Sequence, residues 1–148
     1  MERSDIVLAA MAGAGWTFFT AAQMQKLLFL IDETIPEHIG GKRFDFVPYD
    51  YGPFDKNVYR ELESLQAGGY AWIHASGKSR FKTYSLSGTG MQHGLTVLQS
   101  SFAPEISEYI QRLSKWVASL SFAELVSAIY RDYPHMRVNS VFRAEAEQ

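Results

Sequence analysis

The sequence predicts a single α+β domain that is mostly helical and carries one winged-helix-like β-hairpin. Apolar residues recur at helical spacing in several segments, and two short β-rich runs flank a polar turn. No linker or repeat divides the 148 residues, a length that suits one hydrophobic core. We expect this domain to span residues 1–142 and residues 143–148 to form a frayed tail.

The first part of the chain predicts two helices. Apolar residues at helical spacing after Ser4 indicate the first helix, which a pair of nearby glycines should end. Thr20 and Gln23 have the spacing of a capping box, so a second helix should begin there. The buried face of this second helix is predicted to comprise Met24, Leu27, Leu28 and Ile31.

The middle of the chain predicts a helix followed by a β-hairpin. Pro53 suits a first helical turn and Asp55 can cap it, while a later glycine pair should end the helix. Two β-rich runs follow, Tyr70–Ala75 and Arg80–Leu86, with a turn at 76–79 between them. This order of helix, strand, turn and strand is typical of a winged-helix unit.

The C-terminal third predicts three more helices. Ser87 can cap the fourth helix, although the glycines within it disfavour helix, and Pro104 can open the fifth. Ser121 and Glu124 form a second capping box, after which the sixth helix should end near residues 132–134. Its inward face is predicted to comprise Phe122, Leu125, Val126 and Ile129.

Composition excludes several functional classes. The formal charge is −2, from 14 basic and 16 acidic residues, which differs from the strongly basic balance of many nucleic-acid-binding proteins. The absence of cysteine excludes disulfides, cysteine-ligated zinc, iron–sulfur clusters and thiol nucleophiles. No apolar run reaches the roughly 18 residues of a membrane span. We therefore expect a cytoplasmic protein with no membrane partner.

The residues that could support catalysis are few. The four histidines are far apart in sequence, and the glycine pairs lack the remainder of a phosphate-binding motif. Asp45, Asp50 and Asp55 recur every five residues and could act in acid–base chemistry, but capping and turn formation explain them more simply. We predict no catalytic residue, no metal site and no cofactor.

The most unusual segment is the aromatic and acidic stretch 44–55, in the long connection before the third helix. Alternation there favours a short strand at Phe44, Phe46 and Val47. Its rings could fill the core, or some could form a partner-binding face, because Tyr and Phe are common anchors at interfaces. We expect at least one ring to be exposed. The predicted partner-binding residues are Phe46, Tyr49, Asp50, Tyr51, Phe54 and Asp55.

A second set of residues points to DNA instead. Residues 51–90 hold five basic and three acidic residues, whereas residues 1–50 hold four basic and seven acidic ones. The basic side chains that could contact phosphates are Lys56, Arg60, Lys78, Arg80 and Lys82. Two acidic residues on the third helix, Glu61 and Glu63, and the long connection before that helix argue against this alternative.

Several of these segments together resemble a known family. The chain is similar to YwgA-like and Panacea-type antitoxin domains, and especially to the C-terminal toxin-binding domain of DarG antitoxins. The likeness extends well over residues 21–65 and less specifically beyond them. It is carried, in order, by Gln25–Leu30, Phe46, Tyr51–Phe54 and Val58–Tyr59, and more weakly by Tyr133–Pro134 and Asn139–Phe142.

This resemblance implies a helix-rich module without enzymatic activity that binds a cognate toxin or effector protein and blocks it. For the DarG-like case it implies occupation of the toxin's DNA site, with carboxylates standing in for phosphates. Antitoxins of this kind often repress their own operons, so operator DNA is a further partner that the resemblance implies. A winged-helix DNA-binding transcriptional regulator, which the basic residues named above favour, stays open as the alternative function, and formation of a homodimer stays open too.

Overall fold

The computed structural model describes residues 1–75 and 81–143. Within them the chain forms six α-helices, two 3₁₀ turns and five short strands. The helices are α1 Arg3–Ala12, α2 Ala21–Thr34, α3 Lys56–Ala67, α4 Gly88–Ser100, α5 Pro104–Ser119 and α6 Phe122–Asp132. The strands are β1 Phe19–Thr20, β2 Val47–Tyr49, β3 Gly52–Phe54, β4 Ala71–Ala75 and β5 Lys82–Leu86. The 3₁₀ turns are Pro36–His38 and Pro134–Arg137. The predicted α+β, mostly helical class is confirmed.

Helix α2 lies at the centre of the fold. The predicted capping box starts it: the Gln23 amide donates to Thr20 Oγ1 at 3.1 Å, and the Thr20 amide donates to Gln23 Oε1 at 2.9 Å. The predicted apolar face is buried, but so is every other residue from 23 to 32, because helices α1, α3, α5 and α6 and both sheets contact α2. Polar side chains on this helix are therefore buried too.

The predicted hairpin belongs to a three-stranded antiparallel sheet with the order β1–β5–β4. Residue Tyr84 of β5 pairs with Phe19 on one side and with Ile73 on the other. The sequence predicts β4 and β5 correctly and misses β1, which is only two residues long. The predicted turn at 76–79 lies outside the described residues.

The connection between α2 and α3 contains a second hairpin, formed by β2 and β3. The predicted strand was wrong at Phe44 and Phe46, which lie in the loop before β2 and pack against the core. Pro53 was also misplaced, since it lies in β3 opposite Pro48 rather than in a helical turn. Two residues without amide protons can face each other in a short edge hairpin, because no ladder bond between them is lost.

The helix ends largely follow the predictions. Asp55, Ser87 and Ser121 each accept a backbone amide as predicted N-caps, and Pro104 is the first residue of α5. Helix α1 begins earlier than expected, with Glu2 rather than Ser4 as its N-cap.

Two features of the later helices differ from expectation in their packing. Gly94 allows α4 to approach α1 closely, since a Cβ there would lie 2.5 Å from the Leu8 carbonyl oxygen. Phe122 was predicted to face the core but is 46% exposed, because it stands in the first turn of α6 at the surface. Of the predicted frayed tail, Arg143 is described and residues 144–148 lie outside the described residues.

Candidate functional site

A groove of about 990 Å³ lies between the two hairpins. The first turns of α2 form its floor, and α3 and the start of α6 complete its sides. The β2–β3 hairpin contributes Tyr49 to Gly52 and Phe54, while the three-stranded sheet contributes Ile73 and the start of β5. A groove of this size is at the upper end of the range for binding sites, which is roughly 300–1,000 Å³.

One wall of the groove is a continuous row of aromatic rings. The Tyr49 ring stacks on Phe54 at a centroid distance of 5.0 Å, and Phe54 meets Tyr59 edge-on at 5.8 Å. Tyr59 then lies nearly parallel to Tyr84 at 6.3 Å. Burial raises the pKa of Tyr84 to about 12 and also raises that of Tyr59. Both phenols therefore stay neutral at physiological pH.

Two more aromatic rings that line the groove, Tyr51 and Phe122, reach the surface. Tyr51 meets Phe122 edge-on at 5.1 Å, and the two side chains are 44% and 46% exposed. Tyr49 and Phe81, which also line the groove, are 53% and 77% exposed. The expectation that at least one ring of the 44–55 segment is exposed is confirmed. Exposed large apolar rings clustered around one groove are typical of interaction sites.

Buried polar side chains of α2 hold the 44–55 segment in place. Gln25 makes two bonds to the backbone of Asp55: its Nε2 donates to the carbonyl at 3.0 Å and its Oε1 accepts the amide at 2.9 Å. The Asp32 carboxylate accepts the amides of Arg43 and Phe44 at 3.0 and 2.9 Å. Burial raises the pKa of Asp32, while these two amides favour its charged form.

The segment is also fastened from within and from the C-terminal side. The Asp55 carboxylate accepts the amide of Asn57 at 2.9 Å and that of Asp45 at 2.7 Å. The carbonyl of Asp50 accepts the Val141 amide at 2.9 Å, and Pro48 accepts a bond from Asn139. These bonds hold the hairpin that carries Tyr49 and Tyr51 in place.

Lys26 on the groove floor differs from the other buried polar side chains of α2. It is only 4% exposed and lines the groove, and within residues 1–75 and 81–143 its ammonium has neither a hydrogen bond nor an ion pair. Loss of water lowers its pKa from 10.5 to about 8. It still carries a positive charge at neutral pH. A Cβ on Gly52 would lie 3.7 Å from its Cε, which places the stem of this lysine beneath the hairpin.

The charged groups around this lysine have both signs. Asp50 on the β2–β3 turn and Glu63 on α3 line the groove, as does Lys82 on β5. None of them pairs with Lys26 within the described part of the chain. The groove therefore combines aromatic walls, a mixed charged rim and a cation at its floor.

The structure brings together four of the six predicted partner-binding residues: Tyr49, Asp50, Tyr51 and Phe54 line the groove. Phe46 does not line it, since its ring packs on Phe29 at 5.5 Å. Asp55 is buried, and its carboxylate is occupied by the two backbone amides. Phe46 and Asp55 therefore hold the 44–55 segment in place and do not line the groove.

The basic residues of the alternative hypothesis are spread more widely. Lys56 and Arg60 are exposed on α3, whereas Lys82 lies at the groove. Lys78 and Arg80 lie outside the described residues.

Sequence reasoning missed several groove residues. Lys26 carries a signal that could have found it, namely a charge within a helical run that is otherwise apolar or amide-bearing. Tyr59, Tyr84 and Phe122 carry no such signal, because they meet only through tertiary packing of α3, β5 and α6.

Within residues 1–75 and 81–143, no three histidine or carboxylate side chains are placed to hold a metal ion. No helix in these ranges is long and apolar enough to cross a membrane. A scan against protein-family models and a search of curated proteins both found no match.

Proposed function

We propose that the protein is an antitoxin-like binding module that acts in the cytoplasm. It neutralises a toxin or effector protein by occluding that protein's active or DNA-binding site. The observation that carries the proposal is the ring of exposed aromatic side chains around the groove, formed by Tyr49, Tyr51, Phe81 and Phe122. Aromatic anchors of this kind dominate the affinity of protein–protein interfaces.

The way in which the rings are held also supports a binding role. The β2–β3 hairpin is tied to α2 through Gln25 and to the C-terminal segment through Asn139 and Val141. A surface that is already ordered loses little conformational entropy when a partner binds. The Tyr51–Phe54 stretch, part of the antitoxin resemblance, forms the groove edge, so the resemblance and the geometry point to the same surface.

Co-expression tests this proposal. The chain is expressed with the product of its neighbouring open reading frame, and growth and co-purification are measured. We expect rescue of growth and a co-purifying protein for the wild type, and loss of both for the Tyr49→Ser/Tyr51→Ser double variant. Trp72→Ser is the matched control, because Trp72 is 55% exposed on β4 and does not line the groove. If the wild type neither rescues growth nor retains a partner, the proposal fails.

A second candidate function is a winged-helix DNA-binding regulator. Lys56 and Arg60 favour it, since they lie one turn apart on the exposed side of α3 and no carboxylate pairs with them among the described residues. We expect a Lys56→Glu/Arg60→Glu variant to lose a salt-sensitive mobility shift on DNA from upstream of its own gene. Absence of a shift at low salt with the wild type would remove this candidate.

A further inference from the structure

We infer that the groove takes an acidic segment of the partner protein, with one carboxylate paired to Lys26 and neighbouring apolar side chains against the aromatic walls. The inference rests on the proposed function and narrows the chemistry of its partner. Its central observation is that the Lys26 side chain is only 4% exposed and lines the groove, and that its ammonium reaches the groove solvent without a hydrogen bond or ion pair among the described residues.

The partners of the other buried polar groups show what Lys26 lacks. The remaining buried polar side chains of α2, which are Gln23, Gln25 and Asp32, each bond to backbone atoms of another segment. Buried charges in proteins are normally paired, because removing an ion from water is unfavourable. An unpaired ammonium that lines an open groove is instead placed to pair with an anion from outside.

The position of Lys26 on its helix favours an anion as well. Ala22, in the first turn of α2, also lines the groove and lies one helical turn before Lys26 on the same face. The amino-terminal end of a helix has a partial positive charge and attracts anions. An anion near Ala22 and Lys26 would therefore experience two favourable fields.

The surroundings favour a single carboxylate on a polypeptide over the phosphates of a nucleic acid. Asp50 and Glu63 line the same groove and would repel a ligand with many negative charges. The walls are aromatic, and the volume of about 990 Å³ has room for apolar side chains beside one acidic residue. A segment with one acidic residue flanked by apolar residues would pair its carboxylate with Lys26 at the floor and place its apolar side chains against the aromatic walls.

Selection from a phage-displayed random peptide library tests this inference. The immobilised proteins are the wild type, Lys26→Met and the matched control Lys56→Met, which removes an exposed lysine outside the groove lining. We expect the wild type and the control to select peptides with an Asp or Glu next to apolar residues. Lys26→Met should lose the preference for the acidic residue. Selection without acidic enrichment, or failure to select any peptide, would overturn the inference.

Synthetic peptides then measure the pairing itself. The best selected peptide is compared with a copy in which its Asp or Glu is replaced by Asn or Gln. We expect this replacement to weaken binding to the wild type by about tenfold or more and to have little effect on Lys26→Met. An equal loss on both proteins would show that the acidic residue does not contact Lys26.

A further variant separates the groove from its lysine. Ala22→Trp should block the groove while leaving Lys26 intact, so it should abolish peptide binding. If a second copy of this chain occupies the groove, sedimentation will show a dimer that Lys26→Met dissociates, which contradicts the inference. If the proposed function is wrong, the wild type will not rescue growth in co-expression. If only this inference is wrong, the wild type will rescue growth and Lys26→Met will rescue it equally well.

Discussion

The buried polar side chains of α2 differ in whether they have a partner. Gln25 and Asp32 bond to backbone groups of the segment that carries the aromatic hairpin, although Gln25 also lines the groove. Lys26 lines the groove and is as deeply buried, but it has no hydrogen bond or ion pair among the described residues. Helix α2 therefore has a stabilising side, where Gln25 and Asp32 are bonded, and a groove side, where Lys26 is a charge without a partner in the described part of the chain.

The difference between the two sides has a measurable size. Hydrogen bonds to a charged group contribute about 1.5–3 kcal/mol, and removing one partner leaves the others unsatisfied. The lowered pKa of Lys26, from 10.5 to about 8, corresponds to a destabilisation of roughly 3 kcal/mol while the group is charged. Substitutions on the two sides should therefore change the free energy of unfolding in opposite directions.

The largest effect is expected on the stabilising side. Asp32→Ala should lower the free energy of unfolding by about 3–4 kcal/mol, because the amides of Arg43 and Phe44 lose their acceptor in a partly buried site. Urea denaturation followed by circular dichroism measures the change. Asp45→Ala is the control, since this exposed carboxylate in the same loop should matter by less than about 0.5 kcal/mol. A loss for Asp32→Ala as small as that for Asp45→Ala would mean that the loop does not depend on Asp32.

On the groove side the sign should reverse. Lys26→Met should raise the free energy of unfolding by about 2–3 kcal/mol at pH 7, because a buried charge is replaced by an apolar side chain of similar length. Urea denaturation again measures it, with Lys56→Met as the exposed control near zero. A less stable Lys26→Met protein would indicate that the ammonium already has a stabilising partner.

The sequence predicted the stabilising side better than the groove. Capping residues such as Thr20 and Ser121 act locally, so their patterns are readable along the chain. The β2–β3 hairpin was missed because the alternation placed a strand at Phe44, Phe46 and Val47, of which only Val47 lies in β2, and because Pro53 suggested a helix start. Lys26 was not singled out, since whether a lysine on a helix finds a partner depends on three-dimensional neighbours.

The pH dependence of stability sharpens the same comparison. The folded-state pKa of Lys26, about 8, lies below its unfolded value of 10.5, so the unfolded chain binds more protons between these two values. Stability should therefore rise with pH in this window. The unfavourable contribution of Lys26 should fall from roughly 3 kcal/mol at pH 7 to about 1 kcal/mol at pH 10. Urea titrations of the wild type and Lys26→Met at pH 7, 8, 9 and 10 should show their difference shrinking.

Other groups around the groove limit this window. Burial raises the pKa of Tyr59 and of Tyr84. Above about pH 10 these phenols ionise in the unfolded chain before they ionise in the folded protein, so the free energy of unfolding falls as the pH rises further. Asp50, Glu63 and Lys82 also line the groove. The contribution of Lys26 is therefore measured as the difference in the free energy of unfolding between the wild type and Lys26→Met. A difference between the two proteins that stays constant from pH 7 to 10 would mean that Lys26 titrates normally.

The smallest expected effect comes from a lysine whose situation is the reverse of that of Lys26. Lys42 is exposed and its ammonium lies 2.9 Å from Glu33 Oε1, a contact that raises the pKa of Lys42. Lys42→Met should lower the free energy of unfolding by less than about 1 kcal/mol, because exposed ion pairs are weakened by solvent and salt. Urea denaturation in low salt and in 1 M NaCl measures it, and the effect should vanish at high salt. If Lys42→Met instead stabilised the protein as much as Lys26→Met, removal of any positive charge would explain both results, and burial without a partner would not be what distinguishes Lys26.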